Sequence, residues 1–415
     1  MSDSPIESKI SDEKINNEAT MLTPPASPAF QFEEGHAVYQ KDGFHPVNIG
    51  EVYNGKYKVL RKLGYGNYST VWLVQNELDK KYWAMKVYSG GVYGAGSAIE
   101  EFELKVLKHL RDADPSHDGY EYISILHDSF KHQGPNGEHH CFIFKVKGES
   151  LQSFVSWWDR RPPIPIIRNF VNQLLYALDY THSCGIVHTD IKPDNIMIQI
   201  PDDSIISEYL EKTSVKVLSQ DPTTDYQIIQ STSLREFYFA EGFNLMKLKI
   251  ALSDWTTSSF TSNHLIEFIQ SDLLRAPEVF LAAPWDTSAD IWNLGALVPE
   301  LIYNQNMFSG RDPNRKYNEV RHLQEMENLF GLFPRSLLDK ACPENVETGF
   351  GEDGKISLPE TTTVGLEVRF GDMEESERAE FIEFVRAMLV IDPEKRKSAK
   401  ELQEMKWAVH DFRDK

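Results

Sequence analysis

His188-Thr189-Asp190-Ile191-Lys192-Pro193-Asp194-Asn195 places three chemically versatile side chains within one short stretch. Asp190 can orient a hydroxyl group and accept its proton, while Asn195 offers an amide oxygen to a divalent metal ion. Lys192, which lies between them, can neutralise negative charge on a group in transfer. These three side chains suit the transfer of a phosphoryl group to a hydroxyl. The rest of the chain must then supply a nucleotide site and a second metal ligand.

The segments that precede residue 111 are typical of a small β-rich lobe. Residues 57–63, 69–74 and 82–87 alternate or cluster β-branched and aromatic side chains between turns, which predicts three antiparallel strands. Ser97-Ala98-Ile99-Glu100 then has the pattern of a capping box that opens a helix. Apolar residues recur along that helix at helical spacing, namely Ile99, Phe102, Val106, Leu107 and Leu110. One face of this helix is therefore expected to pack on the sheet.

The pattern becomes predominantly helical beyond Gly148. Apolar residues repeat at helical spacing in residues 165–183, 288–304, 320–330 and 376–389. Residues 201–246 interrupt this region with mixed polarity and turn signals, so we treat them as an insert of uncertain order. The predicted fold class is α+β with two lobes: a small antiparallel β-sheet lobe with one long helix, and a larger α-helical lobe.

Two features of the β-rich lobe suit a bound nucleotide. Gly64 and Gly66 lie between the first two strands, where backbone N–H groups can approach phosphates, although two glycines in a hairpin are more often only a turn. Lys86 lies in an apolar strand, and Glu103 follows on the next helix beside its apolar face. A lysine on a strand usually faces solvent. The apolar neighbours of Lys86 and the position of Glu103 favour an ion pair instead.

Asp254 is the predicted second metal ligand. It ends a short apolar strand and is followed by Trp255-Thr256, whereas the alternative interpretation is an ordinary aspartate in a turn. Glu278, at the end of Ala276-Pro277-Glu278, is predicted to pair with a buried Arg396 that precedes a short final helix. Asp290 begins a helix, where its carboxylate can hold the backbone of residues 188–195 and also cap its own helix.

Taken in order, these features resemble the eukaryotic protein-kinase family from about residue 53 to about residue 411. The resemblance implies a bilobal fold, with ATP and Mg²⁺ bound between the lobes and the γ-phosphate passing to a Ser or Thr hydroxyl of a protein. It implies catalytic roles for Asp190, Lys192 and Asn195, and metal binding by Asn195 and Asp254. Nucleotide contacts are implied at Leu63, Gly64, Gly66, Ser69, Val71, Ala84, Lys86, Glu103, Phe144 and Val146.

A narrower resemblance is to the SR-protein kinases, which phosphorylate Arg/Ser-rich splicing factors. Residues 39–50, 54–57, 61–66, 69–73 and 188–193 carry it, together with the spacer after the catalytic loop and an insert after the helix of Asp290. It implies a basic, Arg/Ser-rich protein substrate and a link to mRNA splicing. Thr189 stands where an arginine usually couples this loop to a phosphorylated activation segment, which implies an enzyme active without that phosphorylation. The docking stretch around residues 318–322, strongly acidic in that group, has mixed charge here.

Two alternatives are compatible with parts of this pattern. A pseudokinase, which binds nucleotide or a partner without efficient transfer, is suggested by Thr256, because a β-branched residue resists backbone angles that the usual glycine adopts. A kinase of small molecules would share Asp190 and Asn195. The features at 276–278, Asp290 and Arg396 belong to the protein-substrate apparatus and argue against it.

Composition limits the partners and the compartment. Sixty-three acidic against 43 basic residues give a formal charge of -20, which argues against direct nucleic-acid binding and fits a basic protein partner, although solubility alone also explains it. The three cysteines have no spacing typical of a disulfide framework or a zinc site. The sequence shows no signal peptide and no apolar membrane span, so we expect the protein in the cytoplasm, the nucleus or both. We also expect it to be a monomer.

The predicted domain organisation has four parts. Residues 1–35 form a disordered tail, 36–56 an N-terminal extension, 57–144 the N-lobe and 145–411 the C-lobe. The C-lobe includes the spacer insert at 201–246 and a second insert region at 305–370. Acidic residues cluster late in this lobe and are expected to form a solvated helix face, namely Asp372, Glu374, Glu375, Glu377, Glu380 and Glu383.

Overall fold

The computed structural model of the chain describes residues 33–91, 98–158, 161–220, 226–238, 244–359 and 363–409. Most of the predicted tail, up to residue 32, and the predicted cap at Ser97 lie outside these residues. The chain divides into two compact units. The first contains Met1–Arg111, Ser124–Trp157 and Met197–Ile250, and the second contains Asp112–Ile123, Trp158–Ile196 and Ala251–Lys415.

The first unit is built on a six-stranded sheet with the order β1-β2-β3-β4-β6-β5, in which every neighbouring pair is antiparallel. The three predicted strands and the predicted helix are confirmed. In chain order the elements are β1 (Val52–Tyr53), β2 (Tyr57–Tyr65), β3 (Ser69–Asn76), β4 (Tyr82–Tyr88), α1 (Ala98–Asp112), β5 (Leu126–Gly134) and β6 (Gly137–Phe144).

The period of the strands decides which side chains enter the core of this sheet. Trp72, Met85 and Ile143 are register neighbours on β3, β4 and β6, and all are fully buried. Their core cluster includes Val47 of the N-terminal extension and Ile229 of the insert. Because successive side chains of a strand point to opposite faces, the adjacent row, with Lys86 at its centre, lies on the other face of the sheet.

The helix α1 buries the face that its apolar spacing predicts. Val106, Leu107 and Leu110 are buried, and Ile99 and Phe102 are half-buried. Two carboxylates, those of Glu100 and Glu103, are buried on the same helix. A buried carboxylate requires a partner, because an unpaired charge is costly away from water. Glu100 contacts His140 of β6, and the partner of Glu103 belongs to the candidate site.

The remaining elements include all four predicted helices, which are confirmed at 164–183, 288–303, 319–330 and 375–388. In chain order they are β7 (Lys147–Ser150), α2 (Leu151–Val155), α3 (Ile164–Ser183), β8 (Ile186–Val187), β9 (Ile196–Gln199), α4 (Ser204–Lys212), β10 (Val217–Gln220), β11 (Gln227–Ile229), α5 (Arg235–Tyr238), β12 (Ile250–Leu252), β13 (Ser259–Phe260), α6 (Pro277–Phe280), α7 (Ser288–Tyr303), α8 (Glu319–Phe330), α9 (Arg335–Leu338), α10 (Pro343–Gly349), α11 (Leu366–Arg369), α12 (Glu375–Met388) and α13 (Ala399–Gln403).

The insert at 201–246, for which the sequence left order uncertain, contains regular structure where it is described. Helix α4 and the antiparallel pair β10–β11 lie within it. Arg61 of β2 donates hydrogen bonds to the carbonyls of Leu210 (3.3 Å) and Thr213 (2.8 Å) at the end of α4. These contacts join residues far apart in sequence, so no local pattern indicates them.

The described end of the predicted tail is also held in place. Lys62 Nζ of β2 lies 2.9 Å from Glu33 Oε2 and also contacts Glu34. The side chains of all three are almost completely buried. Glu33 also accepts a hydrogen bond from Ser231 N at 2.7 Å. The described end of the tail is therefore bound both to the strand that leads into the glycine hairpin and to the insert.

The late acidic cluster is largely solvated, as expected: Asp372, Glu374, Glu375 and Glu383 are exposed, and Glu377 and Glu380 are half-buried. Some of its members also make contacts within the chain. Asp372 lies 2.8 Å from Arg161, and Glu377 contacts the mostly buried Arg168. Glu374 accepts hydrogen bonds from the first backbone N–H groups of α12 and caps that helix. Half of the predicted solvated face therefore serves contacts within the second unit.

Within the described residues, none of the helices combines the length and apolarity needed to cross a membrane. Cys141, Cys184 and Cys342 are all free thiols.

Candidate active site

The backbone of residues 188–195 is fixed by Asp290 of α7. The Asp290 carboxylate is fully buried and accepts hydrogen bonds from His188 N (2.8 Å) and Thr189 N (2.9 Å), as predicted. His182 Nε2 lies 3.0 Å from the same carboxylate. The predicted second role of Asp290, as a cap of its own helix, is wrong, because no side-chain hydrogen bond caps the start of α7 among the described residues. Both oxygens of Asp290 are already used by the loop.

Asp190 lies at the centre of a compact polar group. Lys192 Nζ is 2.6 Å from Asp190 Oδ2, and Asn195 Nδ2 donates to Asp190 Oδ2 at 3.0 Å and to the Asp190 carbonyl at 2.9 Å. Because the amide nitrogen of Asn195 donates to Asp190, its amide oxygen is the atom suited to a divalent cation. The structure therefore brings together the three residues predicted to be catalytic, and it gives the aspartate a fixed orientation.

Ser271 is a member of this group that the sequence did not reveal. Its hydroxyl donates to Asp190 Oδ1 at 3.4 Å. Asn293 is another, because its side chain accepts from Ile191 N (3.0 Å) and donates to Ile191 O (2.9 Å). Asn293 follows Asp290 on the same helix face, so that spacing was an available signal. Ser271 has no comparable local signal.

Asp254 is exposed, and its backbone has the left-handed φ of 66°. Ser253 N donates to the Asn195 carbonyl at 2.8 Å, which brings the residue before Asp254 against Asn195, the other predicted metal ligand. Thr256 Oγ1 donates to Asp254 Oδ1 at 2.8 Å. Two side-chain oxygens of the predicted set, those of Asp254 and Asn195, match the ligand chemistry of Mg²⁺.

The expected conflict at Thr256 does not occur. Among the described residues with positive φ, the one in this turn is Asp254, and Thr256 is not among them. Trp255 is buried, and its ring meets the ring of His188 edge to face at 4.7 Å. The β-branched Thr256 therefore carries none of the backbone strain that suggested a pseudokinase.

Thr189 links the loop to the segment after Asp254. Its hydroxyl donates to the Thr257 carbonyl at 2.8 Å and lies 3.1 Å from the Thr257 hydroxyl. Thr189 is buried and has a positive φ of 72°. Thr189 therefore holds the loop through an uncharged hydrogen bond, whereas an arginine at this position would need a phosphate group as its partner.

Four of the predicted nucleotide residues, Val71, Ala84, Lys86 and Phe144, lie on one face of the sheet of the first unit. Lys86 Nζ is 3.9 Å from Glu103 Oε1, so the predicted pair is in contact. Tyr88 donates to Glu103 Oε2 at 2.7 Å, and the Lys86 ammonium lies 4.7 Å from the Tyr88 ring centre. Val71 is the register neighbour of Lys86. The carboxylate of α1 is thereby fixed opposite the lysine of β4.

The other predicted nucleotide contacts vary in exposure. Ala84 of β4 pairs with Phe144 of β6 and lies two residues from Lys86, on the same face of the sheet. Ser69 and Val146 are buried, and Leu63 and Gly64 are half-buried. Gly66 N donates to Ser69 O at 2.8 Å and closes the hairpin. A Cβ added at Gly64 or Gly66 would meet nothing within 4 Å, so the space above the hairpin is open to a ligand.

Glu278 and Arg396 form the predicted buried pair. Arg396 Nη1 is 2.7 Å from Glu278 Oε1 and Nη2 is 3.1 Å from Oε2, and both side chains are completely buried. The same guanidinium donates to the carbonyls of Ser288 and Val390. This pair holds the start of α6 and the start of α7 to the C-terminal region.

Comparison with known proteins agrees with this geometry. A family model described as the protein kinase domain matches residues 57–220 and 240–408. A solved kinase-domain structure has a TM-score of 0.64 and 24% identity, and it covers 87% of this chain and 98% of its own, which shows the fold.

Several sequence relatives are serine/threonine kinases. One from Aspergillus fumigatus is 31% identical and covers 91% of this chain and 90% of its own length. The serine/threonine-protein kinase SRPK of Physarum polycephalum is 29% identical over 89% of each chain. SRSF protein kinase 3 of Homo sapiens is 42% identical over 40% of this chain and 29% of its own. The chain belongs to the protein kinase family, it is a serine/threonine kinase, and SR-protein kinases are among the proteins that it is similar to.

Proposed function

We propose that this kinase transfers the γ-phosphate of ATP to Ser or Thr hydroxyls of basic, Arg/Ser-rich proteins. The observation that supports it most directly is the group formed by Asp190, Lys192 and Asn195, with Lys192 Nζ 2.6 Å and Asn195 Nδ2 3.0 Å from the Asp190 carboxylate. Lys86 and Glu103 in the first unit supply the pair that suits the α- and β-phosphates.

Each residue has a defined part in this proposal. Asp190 orients the substrate hydroxyl and accepts its proton as the oxygen bonds to the γ-phosphorus and the bond to the β-phosphate oxygen breaks. Lys192 neutralises charge on the phosphoryl group in transfer. Asn195 and Asp254 would hold Mg²⁺, which supplies charge neutralisation on the phosphates. Gly64 and Gly66 provide the open hairpin for the phosphates.

Two carboxylates beside the catalytic loop support a basic substrate. Asp194 is exposed, and the half-buried Glu300 of α7 lies close enough to interact with it. Burial, and then the charge of Asp194, raise the pKa of Glu300. A guanidinium of the substrate placed near both groups would relieve their repulsion. The relative named SRSF protein kinase 3 is in line with such a substrate.

The opposite charge appears at the predicted docking stretch. Arg311, Arg315 and Lys316 are exposed just before α8. This surface suits short Arg/Ser segments that engage the catalytic loop better than a long polyarginine tract, which it would repel.

The central test is phosphate transfer from labelled ATP and Mg²⁺ to an Arg/Ser peptide. Asp190→Asn should lower the rate by about 10²- to 10⁴-fold because the proton acceptor is lost. Glu300→Gln should lower the preference for the Arg/Ser peptide over an Ala/Ser peptide without changing ATP affinity. Equal rates on both peptides with the unmodified chain would contradict the substrate proposal. No transfer to any basic protein, with no thermal shift on ATP addition, would contradict the enzymatic assignment of these residues.

We also propose that the kinase acts as a monomer in the cytoplasm, the nucleus or both. The finding that the relatives are SR-protein kinases supports these compartments. Sedimentation of the full chain, together with imaging of a tagged chain in cells, tests both statements.

A further inference from the structure

A group of histidine and acidic side chains lies far in sequence from the catalytic residues. His45 and Glu51 belong to the N-terminal extension, and His132 belongs to β5. One nitrogen or oxygen ligand atom from each lies within 4.8 Å of the other two. The His45 and His132 ring centres are 4.6 Å apart. Nothing in the proposed phosphoryl transfer uses these residues.

Tyr53 provides a fourth oxygen at the same place. Its hydroxyl oxygen lies 2.8 Å from His45 Nε2 and donates to Glu51 Oε2 at 3.0 Å. A tetrahedral zinc ion with bonds of about 2.0–2.1 Å needs ligand atoms about 3.3 Å apart. Two of the contacts are thus near the required spacing. Rotation of the half-buried Glu51 and His132 side chains can close the remaining distance.

The hydrogen bonding of the buried histidines is incomplete. His45 is 3% exposed and its Nδ1 has no hydrogen-bond partner, and His139, which is 0% exposed, has none at Nε2. The His139 ring centre is 4.9 Å from that of His45. The Nδ1 atom of His45 lies against Gly134, on the side of the ring away from Tyr53, so Nε2 is the nitrogen that faces the proposed site.

We propose that His45, His132 and Glu51 form a zinc-binding site, with the Tyr53 oxygen or a water molecule in the fourth position. Two imidazoles and one carboxylate are a ligand set that Zn²⁺ accepts in proteins. The site is independent of the proposed catalytic function. Its ligands are histidine and carboxylate side chains, whereas the spacing of the three cysteines is not typical of a cysteine-based zinc site.

The consequence of metal binding is a staple between the extension and the sheet. β5 is an edge strand, and the extension contributes Val47 and Tyr53 to the buried cluster of the first unit. An ion shared by His132 of the strand and His45 and Glu51 of the extension stabilises the folded state by an amount that rises with the logarithm of its affinity. The competing account is a metal-free relay of hydrogen bonds through His45, Tyr53 and Glu51.

The test titrates ZnCl₂ into the full chain, stripped of metal with EDTA, in the presence of excess Mg²⁺. Calorimetry measures the heat of binding during the titration. We expect the unmodified chain to bind one saturable equivalent of Zn²⁺ at this site. His132→Gln should abolish the binding of that equivalent, and Glu51→Gln should weaken its affinity at least tenfold. His127→Gln is the matched control, because His127 lies on the same strand, is exposed and stacks on Trp83, and it should bind as the unmodified chain does. His45→Gln is less suitable because His45 is buried.

A second measurement uses CoCl₂, whose visible absorption reports tetrahedral coordination. A band that is present in the unmodified chain and in His127→Gln, and absent in His132→Gln, supports the site. Circular dichroism shows whether each variant is folded. If folded His132→Gln binds Zn²⁺ as tightly as the unmodified chain, or no saturable equivalent is found, the metal-free relay is the correct account and the proposal fails.

Discussion

Two ion pairs of this kinase join residues of opposite charge in very different ways. Glu278 and Arg396 meet through two short contacts, 2.7 and 3.1 Å, with no exposure of either side chain. Lys86 and Glu103 meet at 3.9 Å, and the lysine side chain is 20% exposed. The first pair satisfies its guanidinium with further carbonyl bonds, whereas the second keeps its ammonium accessible to solvent.

The difference separates a structural pair from a functional one. A fully enclosed pair has no room for a ligand, and its geometry can only fix the chain segments that it joins. A longer, partly exposed contact holds the lysine near one carboxylate and lets it approach phosphate oxygens. Four experiments sharpen or break this distinction, beginning with the largest expected effect.

Arg396→Met should lower the free energy of unfolding by about 3–5 kcal/mol, because Glu278 is left as an uncompensated buried charge. Urea denaturation measures this change. Lys340→Met is the matched control, since Lys340 pairs with Glu394 at an exposed site and should change stability by less than about 1 kcal/mol. Equal losses in the two variants would show that the enclosed pair is not structurally special.

Lys86→Met should have the converse effect. We expect kcat/KM to fall about 10²- to 10³-fold, as for other preorganised donors. The free energy of unfolding should fall by less than in Arg396→Met, because Tyr88 still donates a hydrogen bond to the buried Glu103 carboxylate. Steady-state kinetics with denaturation curves measure both quantities. Lys131→Met, at an exposed pair on the same sheet, should leave kcat/KM unchanged. A stability loss as large as that of Arg396→Met would make the Lys86 pair structural as well.

A buried neutral group provides a third comparison through pH. Burial, followed by the charge of Arg275, lowers the pKa of His322 to about 3. The unfolded chain therefore binds a proton at this histidine near pH 6.5 while the folded chain does not, so stability falls as pH drops below 6.5 and levels off near pH 3. The loss at pH 5 relative to pH 7.5 is about 2 kcal/mol from this group.

His322→Gln removes the titrating group and keeps a polar side chain. Its unfolding free energy should fall about 2 kcal/mol less between pH 7.5 and pH 5 than that of the unmodified chain. Parallel pH profiles for the two proteins would mean that His322 is charged in the folded state.

The smallest expected effect concerns the uncharged link at Thr189. Thr189→Val removes the bond to the Thr257 carbonyl, which is worth about 1 kcal/mol and should lower kcat about fivefold. Thr189→Ser keeps the hydroxyl and should keep most of the rate. If valine and serine act alike, the methyl packing of Thr189 and not its hydroxyl positions the loop.

Periodicity in the sequence predicted most of the fold because local spacing reports which face of an element is buried. The strands around Lys86 and the helix that carries Glu103 follow from that pattern. Asp290 was recognised as the anchor of the catalytic loop, although it does not cap its own helix as predicted. The 201–246 insert, in contrast, receives hydrogen bonds from Arg61, which lies far from it in sequence, so no local pattern could predict its order.

The sequence alone determined the reaction class, because the chemistry of phosphoryl transfer requires particular side chains at short, fixed spacings around Asp190. Only the tertiary structure decided how those side chains are held. Ser271 reaches Asp190 and Thr189 reaches Thr257 through loops whose paths depend on packing. Backbone angles are equally invisible in the sequence: in this turn Asp254 has the left-handed φ, and Thr256 does not.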